Sequence, residues 1–108
     1  MWCIDPKLLC KSHLLGSHFE IHKMIGNLKY TGKWALNLTN AGYLEPQNAQ
    51  QRHDELAEEM LKRGYKHESP LIINGMKLPV GHVDSDKSLS DLLSRCKECK
   101  RRYEKICV

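Results

Sequence analysis

The chain has 108 residues, 41% hydrophobic and 28% charged, with a net charge of +4. That length suits one domain with one modest core, and the composition reads as globular rather than disordered. No apolar run approaches the ~20 residues that span a bilayer, and MWCIDPKLL lacks the basic-then-apolar pattern of a secretory leader. Five cysteines, an odd number, fit reduced thiols in a cytoplasmic or nucleoid-associated protein that is not secreted. Mild basicity suits a nucleic-acid partner without requiring one.

In chain order, Asp5-Pro6 predicts a short turn of helix over 6–10, because proline is tolerated at a first helical position. Ser12 is the expected cap of a long helix over about 12–26, which Gly26-Asn27 should end. A short helix near 33–40 would stop at Asn40-Ala41-Gly42. Pro46 opens the clearest helix, 46–63, with Ala49, His53, Leu56 and Met60 at helical spacing and Gly64 as the stop. Residues 65–87 hold two prolines and two glycines. They read as an irregular connection with an extended piece at 71–73, long enough to imply a covering or functional role. A last helix over 88–106 carries Leu89, Leu92, Cys96, Cys99, Tyr103 and Ile106 as one stripe. The expectation is an all-α single domain, 1–108, of three main helices joined by irregular connections.

The segment HLLGSHFEIHKM, residues 13–24, has two faces. At 100° per residue, Leu14, Leu15, His18, Ile21, His22 and Ile25 fall on one side. Ser12, His13, Gly16, Glu20 and Lys23 fall on the other, so the second face is small and polar with one acid near its centre. Gly16 costs about 1 kcal/mol relative to alanine. It is explained either by another segment packing on it or by something outside the protein approaching the backbone. His18 and His22 share the apolar side and read as core or core-edge histidines.

HLLGSHFEIHK resembles the first helix of the phage-type pyrimidine dimer DNA glycosylases, the endonuclease V type of UV-repair enzyme. QRHDELAEEMLKRGYK, residues 51–66, is similar to that family's second helix. The resemblance puts Glu20 on the catalytic glutamate, His13 on the family's histidine and Lys23 on a family arginine. It implies an all-α fold and double-stranded DNA carrying a damaged or abasic nucleotide as partner. It further implies an N-terminal α-amine that attacks the sugar and forms an imine, followed by strand cutting through β-elimination. An α-amine has a pKa near 8, against about 10.4 for lysine, so far more of it is free to attack at neutral pH. Trp2 is bulky, so the initiator methionine is expected to stay and the amine to belong to Met1, with unusual processing or a substituting lysine as the alternatives. Met1 and Glu20 are thus the expected catalytic pair, and Trp2, Ser12, His13, Gly16, Lys23 and Arg52 the expected DNA contacts. No cofactor or metal is expected, no membrane association, and a monomer.

The chain also departs from the family. Phe19 stands where an arginine precedes the glutamate, and the C-terminal aromatic cluster is missing, so the lesion stays open. Trp2, Phe19 and Trp34 could brace a vacated stack but read first as core residues. Cys96-x-x-Cys99 reads as buried thiols on the apolar stripe with Cys107. Zinc is the alternative, with Cys107, Cys3, Cys10 or His82 as further ligands. The basic run Lys97, Lys100, Arg101, Arg102 and Lys105 is a solvated face or a phosphate contact. Two other functions remain: a non-catalytic DNA-binding domain on the same scaffold, and a small zinc-binding interaction module.

Overall fold

The structure is a computed structural model that describes residues 1–67, 69–73 and 75–107. It is all-α, with no strand among the described residues. Five helices follow in order: α1 (Lys11–Leu28), α2 (Lys33–Asn40), α3 (Ala49–Lys62), α4 (Ser85–Arg95) and α5 (Lys97–Cys107). Short 3-10 turns at Pro6–Leu8 and Pro46–Asn48 lead into α1 and α3. None of the helices is long and apolar enough to cross a membrane.

α1 packs mainly on α3 and α2. Leu14, Ile21, Met24 and Ile25 of α1 meet Leu56 and Met60 of α3, Ala35 of α2, and Leu9 and Leu44 from the connections. Each fully buried leucine contributes roughly 1.5–3 kcal/mol by leaving water. The expected stripe Ala49, His53, Leu56 and Met60 is buried as one face of α3.

Three boundaries differ from the sequence reading. Helix α1 starts one residue before Ser12, capped by the extended backbone of Cys10, so Ser12 lies inside it. It also runs through Gly26. Asn27 directs its side-chain oxygen to the Ala35 N–H at 3.0 Å, so it anchors α2 instead of ending α1. The left-handed residue that turns the chain is Gly32, at φ 69°. The predicted last helix, 88–106, is two helices broken at Cys96, whose backbone is extended at φ −121°, ψ 111°. Cys107 lies exposed beyond the stripe it was expected to share. Phe19, read as core, is 68% exposed, while Trp2 and Trp34 pack partly buried against the core.

The connection 65–84 covers the body. Leu71 is buried in the core, and 71–73 finds no strand partner. Near its end, Gln47 clamps Gly81 with both halves of its amide. The Gly81 carbonyl accepts at 2.6 Å and the Gly81 N–H donates at 3.0 Å. The Glu45 carboxylate accepts from the Val83 N–H at 2.7 Å. Gly81 approaches so closely that a Cβ there would fall 2.2 Å from the Leu44 carbonyl oxygen. These bonds hold His82, Val83 and Asp84 beside the chain's N-terminus.

Candidate active site

The first four residues run along the body in a fixed course. Arg52, buried on α3, donates to the Ile4 carbonyl at 2.6 Å and the Trp2 carbonyl at 3.1 Å. A guanidinium holds two acceptors in one plane, so it fixes the direction of this segment as well as its position. The Met1 sulfur accepts from the Glu45 N–H at 3.3 Å. The α-ammonium of Met1 is thereby carried to α1, where it donates to Glu20 Oε1 at 2.9 Å and to the Tyr43 carbonyl at 2.6 Å. The Met1 side chain is 2% exposed and that of Glu20 37%. The anchor is buried and the carboxylate reachable.

The pair opens on a cleft of about 880 Å3, within the range of pockets that hold small molecules, about 300–1,000 Å3. Trp2, Leu38 and Tyr43 line it, together with a second group, His82, Asp84, Lys87 and Arg95. The second group was not legible in the sequence, because the connection 65–84 and α4 reach the site through the distant Gln47 and Glu45 bonds and the core packing of Leu71 and Leu92. The Tyr43 contact uses a backbone carbonyl, which no residue type announces.

The other expected residues divide. Ser12, Gly16 and Lys23 lie exposed on α1. A Cβ on Gly16 would meet nothing within 4 Å, so no protein segment explains this glycine. The Lys23 ammonium stands 4.6 Å from the centroid of the Trp34 ring. Arg52 turns inward to the N-terminal segment. Cys3, beside the pair, is a poor nucleophile near neutrality, because burial first and the Glu45 charge second push its thiol up to about 11.

Two ligand clusters flank the site. Cys10, His13, Cys96 and Cys99 bring one ligand atom each within 4.8 Å of one another, and so do His18, His53 and His67. In the first, Cys99 is buried, as expected, and so is Cys10, while Cys96, expected to be buried with Cys99, is half-buried. His13 was not expected here, although the Cys10-x-x-His13 spacing was a usable signal. Its ring also meets the Trp2 ring edge-on, with centroids 6.0 Å apart. In the second, the Nε2 atoms of His67 and His18 are 2.8 Å apart and those of His18 and His53 3.1 Å. His53 Nδ1 pairs with Asp54 at 3.0 Å. Burial first, then the charges of His53, His22 and His67, push His18 down to about 4. The His22 Nε2 is buried without a hydrogen-bond partner among the described residues.

The terminal amine, the Glu20 carboxylate against it and the open cleft thus lie together on an all-α body. The family model described as "Pyrimidine dimer DNA glycosylase" matches residues 1–73, the part that contains the amine, Glu20 and Arg52. The chain belongs to this family of DNA-repair glycosylases, whose substrate is DNA carrying pyrimidine dimers. No curated protein and no solved structure matches it.

Proposed function

We propose that this protein is a DNA N-glycosylase with AP lyase activity, in which the α-amine of Met1 is the nucleophile and Glu20 the catalytic carboxylate. The observation that carries the reading is the 2.9 Å contact between them in the cleft. The amine acts once it has given up a proton, and the carboxylate beside it is the nearest group basic enough to take one. The free amine attacks C1′ of the damaged nucleotide. The C–N bond to the base breaks, and the base leaves with the bonding pair and takes a proton. The nitrogen sheds one proton, its lone pair then expels O4′, which takes the proton that Glu20 had accepted, and a protonated imine remains with Glu20 again a carboxylate. Glu20 removes a proton from C2′, the electron pair forms a C2′–C3′ double bond, and the 3′ phosphate leaves. Hydrolysis of the imine frees the enzyme. Positioned acid–base catalysis of this kind contributes about 10²–10⁴-fold.

Reaching a base in a duplex requires displacing a nucleotide from the stack. Ser12, Gly16 and Lys23, exposed on the helix that carries Glu20, are the proposed path of the strand. Gly16 supports this reading because its missing side chain serves no internal packing. Trp2 at the cleft edge is the proposed brace for the displaced nucleotide, backed by His13. Arg52 is a positioning residue, which acts through the Trp2 and Ile4 carbonyls.

The test is borohydride trapping on duplex DNA with one abasic site, followed by peptide mapping. The expected adduct sits on the Met1 peptide and is lost on N-terminal blocking. An adduct on an internal lysine replaces the nucleophile. Salt-sensitive binding without any adduct would make the protein a non-catalytic DNA-binding member of its family.

A further inference from the structure

The cluster at the start of α1 has no part in that chemistry, yet its geometry is specific. Cys10 ends the connection before α1 and His13 follows one turn later. Cys96 is the break between α4 and α5, and Cys99 lies in the first turn of α5. Two pairs with the same x-x spacing therefore face each other across the chain.

Their separations match a metal polyhedron. Cys10 Sγ and Cys96 Sγ are 3.8 Å apart. His13 Nδ1 lies 3.2 Å from Cys10 Sγ and 3.5 Å from Cys99 Sγ. A tetrahedral zinc with Zn–S near 2.3 Å and Zn–N near 2.0–2.1 Å has S···S edges of about 3.8 Å and S···N edges of about 3.6 Å. The sulfurs also have the support that thiolates take. The Cys10 N–H donates to Cys99 Sγ at 3.2 Å, and the Cys99 N–H donates to Cys96 Sγ at 3.4 Å.

We propose that Cys10, His13, Cys96 and Cys99 bind one structural zinc ion, a Cys3His site that staples α5 to the start of α1. Binding releases the thiol protons to solvent and forms four metal–ligand bonds, with no redox change. All four positions are filled by protein, which marks a structural site, since a catalytic zinc keeps one position open. The fold needs such a link. Cys99 is the only buried residue of α5 among those described, and the helix otherwise reaches the body through Arg102, which donates to the Lys7 carbonyl at 2.8 Å. A helix with so little apolar contact is where a small domain uses a metal. Two of the ligands, Cys96 and Cys99, lie beyond residue 73, where the family match ends. The zinc thus joins this chain's own C-terminal segment to the family body. Through His13 and Trp2 it also supports the wall of the cleft.

The experiment is metal analysis of the full chain, purified from zinc-supplemented medium and dialysed, followed by cobalt(II) substitution. One zinc per chain is expected. The cobalt form should show near-ultraviolet thiolate-to-metal charge transfer with visible bands of tetrahedral cobalt. Chelation should lower the melting temperature by on the order of 10 °C. Cys96→Ser with Cys99→Ser should abolish retention, whereas Cys96→His should keep the metal with one thiolate fewer. The cobalt spectrum is read on the unmodified protein, so misfolding of a variant does not mask the answer. Absence of retained zinc would overturn the proposal. So would cobalt bound without charge transfer, since that places the metal on His18, His53 and His67, which have no sulfur.

Discussion

Helix α1 carries two kinds of polar chemistry within one turn. Glu20 stands 37% exposed against the Met1 ammonium. His18, two residues earlier, is buried among His22, His53 and His67. The first is a charge kept where a substrate and its protons can arrive. The second is a set of packed rings in which burial first, and the neighbouring histidines next, penalise a proton on His18 and His22. On a single helix, solvent access separates the group proposed to do chemistry from the groups that pack inside the fold.

The sharpest way to break this comparison is Glu20→Gln. It should cut lyase turnover and imine trapping by about 10²–10⁴-fold. As a partly exposed ion pair, Glu20 should give up little stability, about 1 kcal/mol or less. Single-turnover cutting of an abasic duplex, set beside thermal unfolding, reads both. Normal turnover in this variant would remove Glu20 from the mechanism.

His53→Ala is the mirror experiment. It deletes the buried ring that links His18, His67 and Asp54, and should cost about 1–3 kcal/mol by removing that polar link and leaving a void in its place. Turnover per folded molecule should change little. Urea titration with active-site counting distinguishes the two effects.

The histidine face should also govern the acid limb of stability. His18 in the folded protein sits near 4, below its ordinary value of 6.5. Between those values the unfolded chain binds more protons than the folded one, so stability falls as pH drops through that window and levels below it. His22 is shifted in the same direction, by burial first and by His53 next. In chelated buffer, circular dichroism melts between pH 7.5 and 4.5 should show the melting temperature falling steadily. A flat profile would mean that the rings are not buried as neutral groups.

The smallest effect is expected at Gly16. Alanine there meets no protein atom, and should raise the stability of the free protein by about 1 kcal/mol. It should at the same time weaken binding to lesion-bearing duplex, measured by anisotropy. Stabilisation with unchanged binding would mean that the DNA backbone does not pass over this face.

Much of this protein was legible as one-dimensional pattern. Ala49, His53, Leu56 and Met60 repeat at helical spacing and are buried as one face of α3. The first helix was legible to within a few residues, and so was its polar face with Glu20, because helical periodicity is local. The missed boundaries share a cause. Asn27 and Cys96 carry local signals that their distant partners, Ala35 in one case and the Cys10–His13 pair in the other, put to different use. Phe19 was read as core from its residue type alone, and no periodicity argument supported that.

By itself, the sequence determined an all-α chain, the polar face of α1 and a resemblance resting on two segments. Only the tertiary structure decided that Met1 lies 2.9 Å from Glu20, that Arg52 faces inward, and that His13 belongs with three cysteines. Apart from the local Cys10–His13 and Cys96–Cys99 spacings, those facts join residues 19 to 89 positions apart. Such contacts arise from how helices pack and where connections are clamped, and no local propensity encodes them.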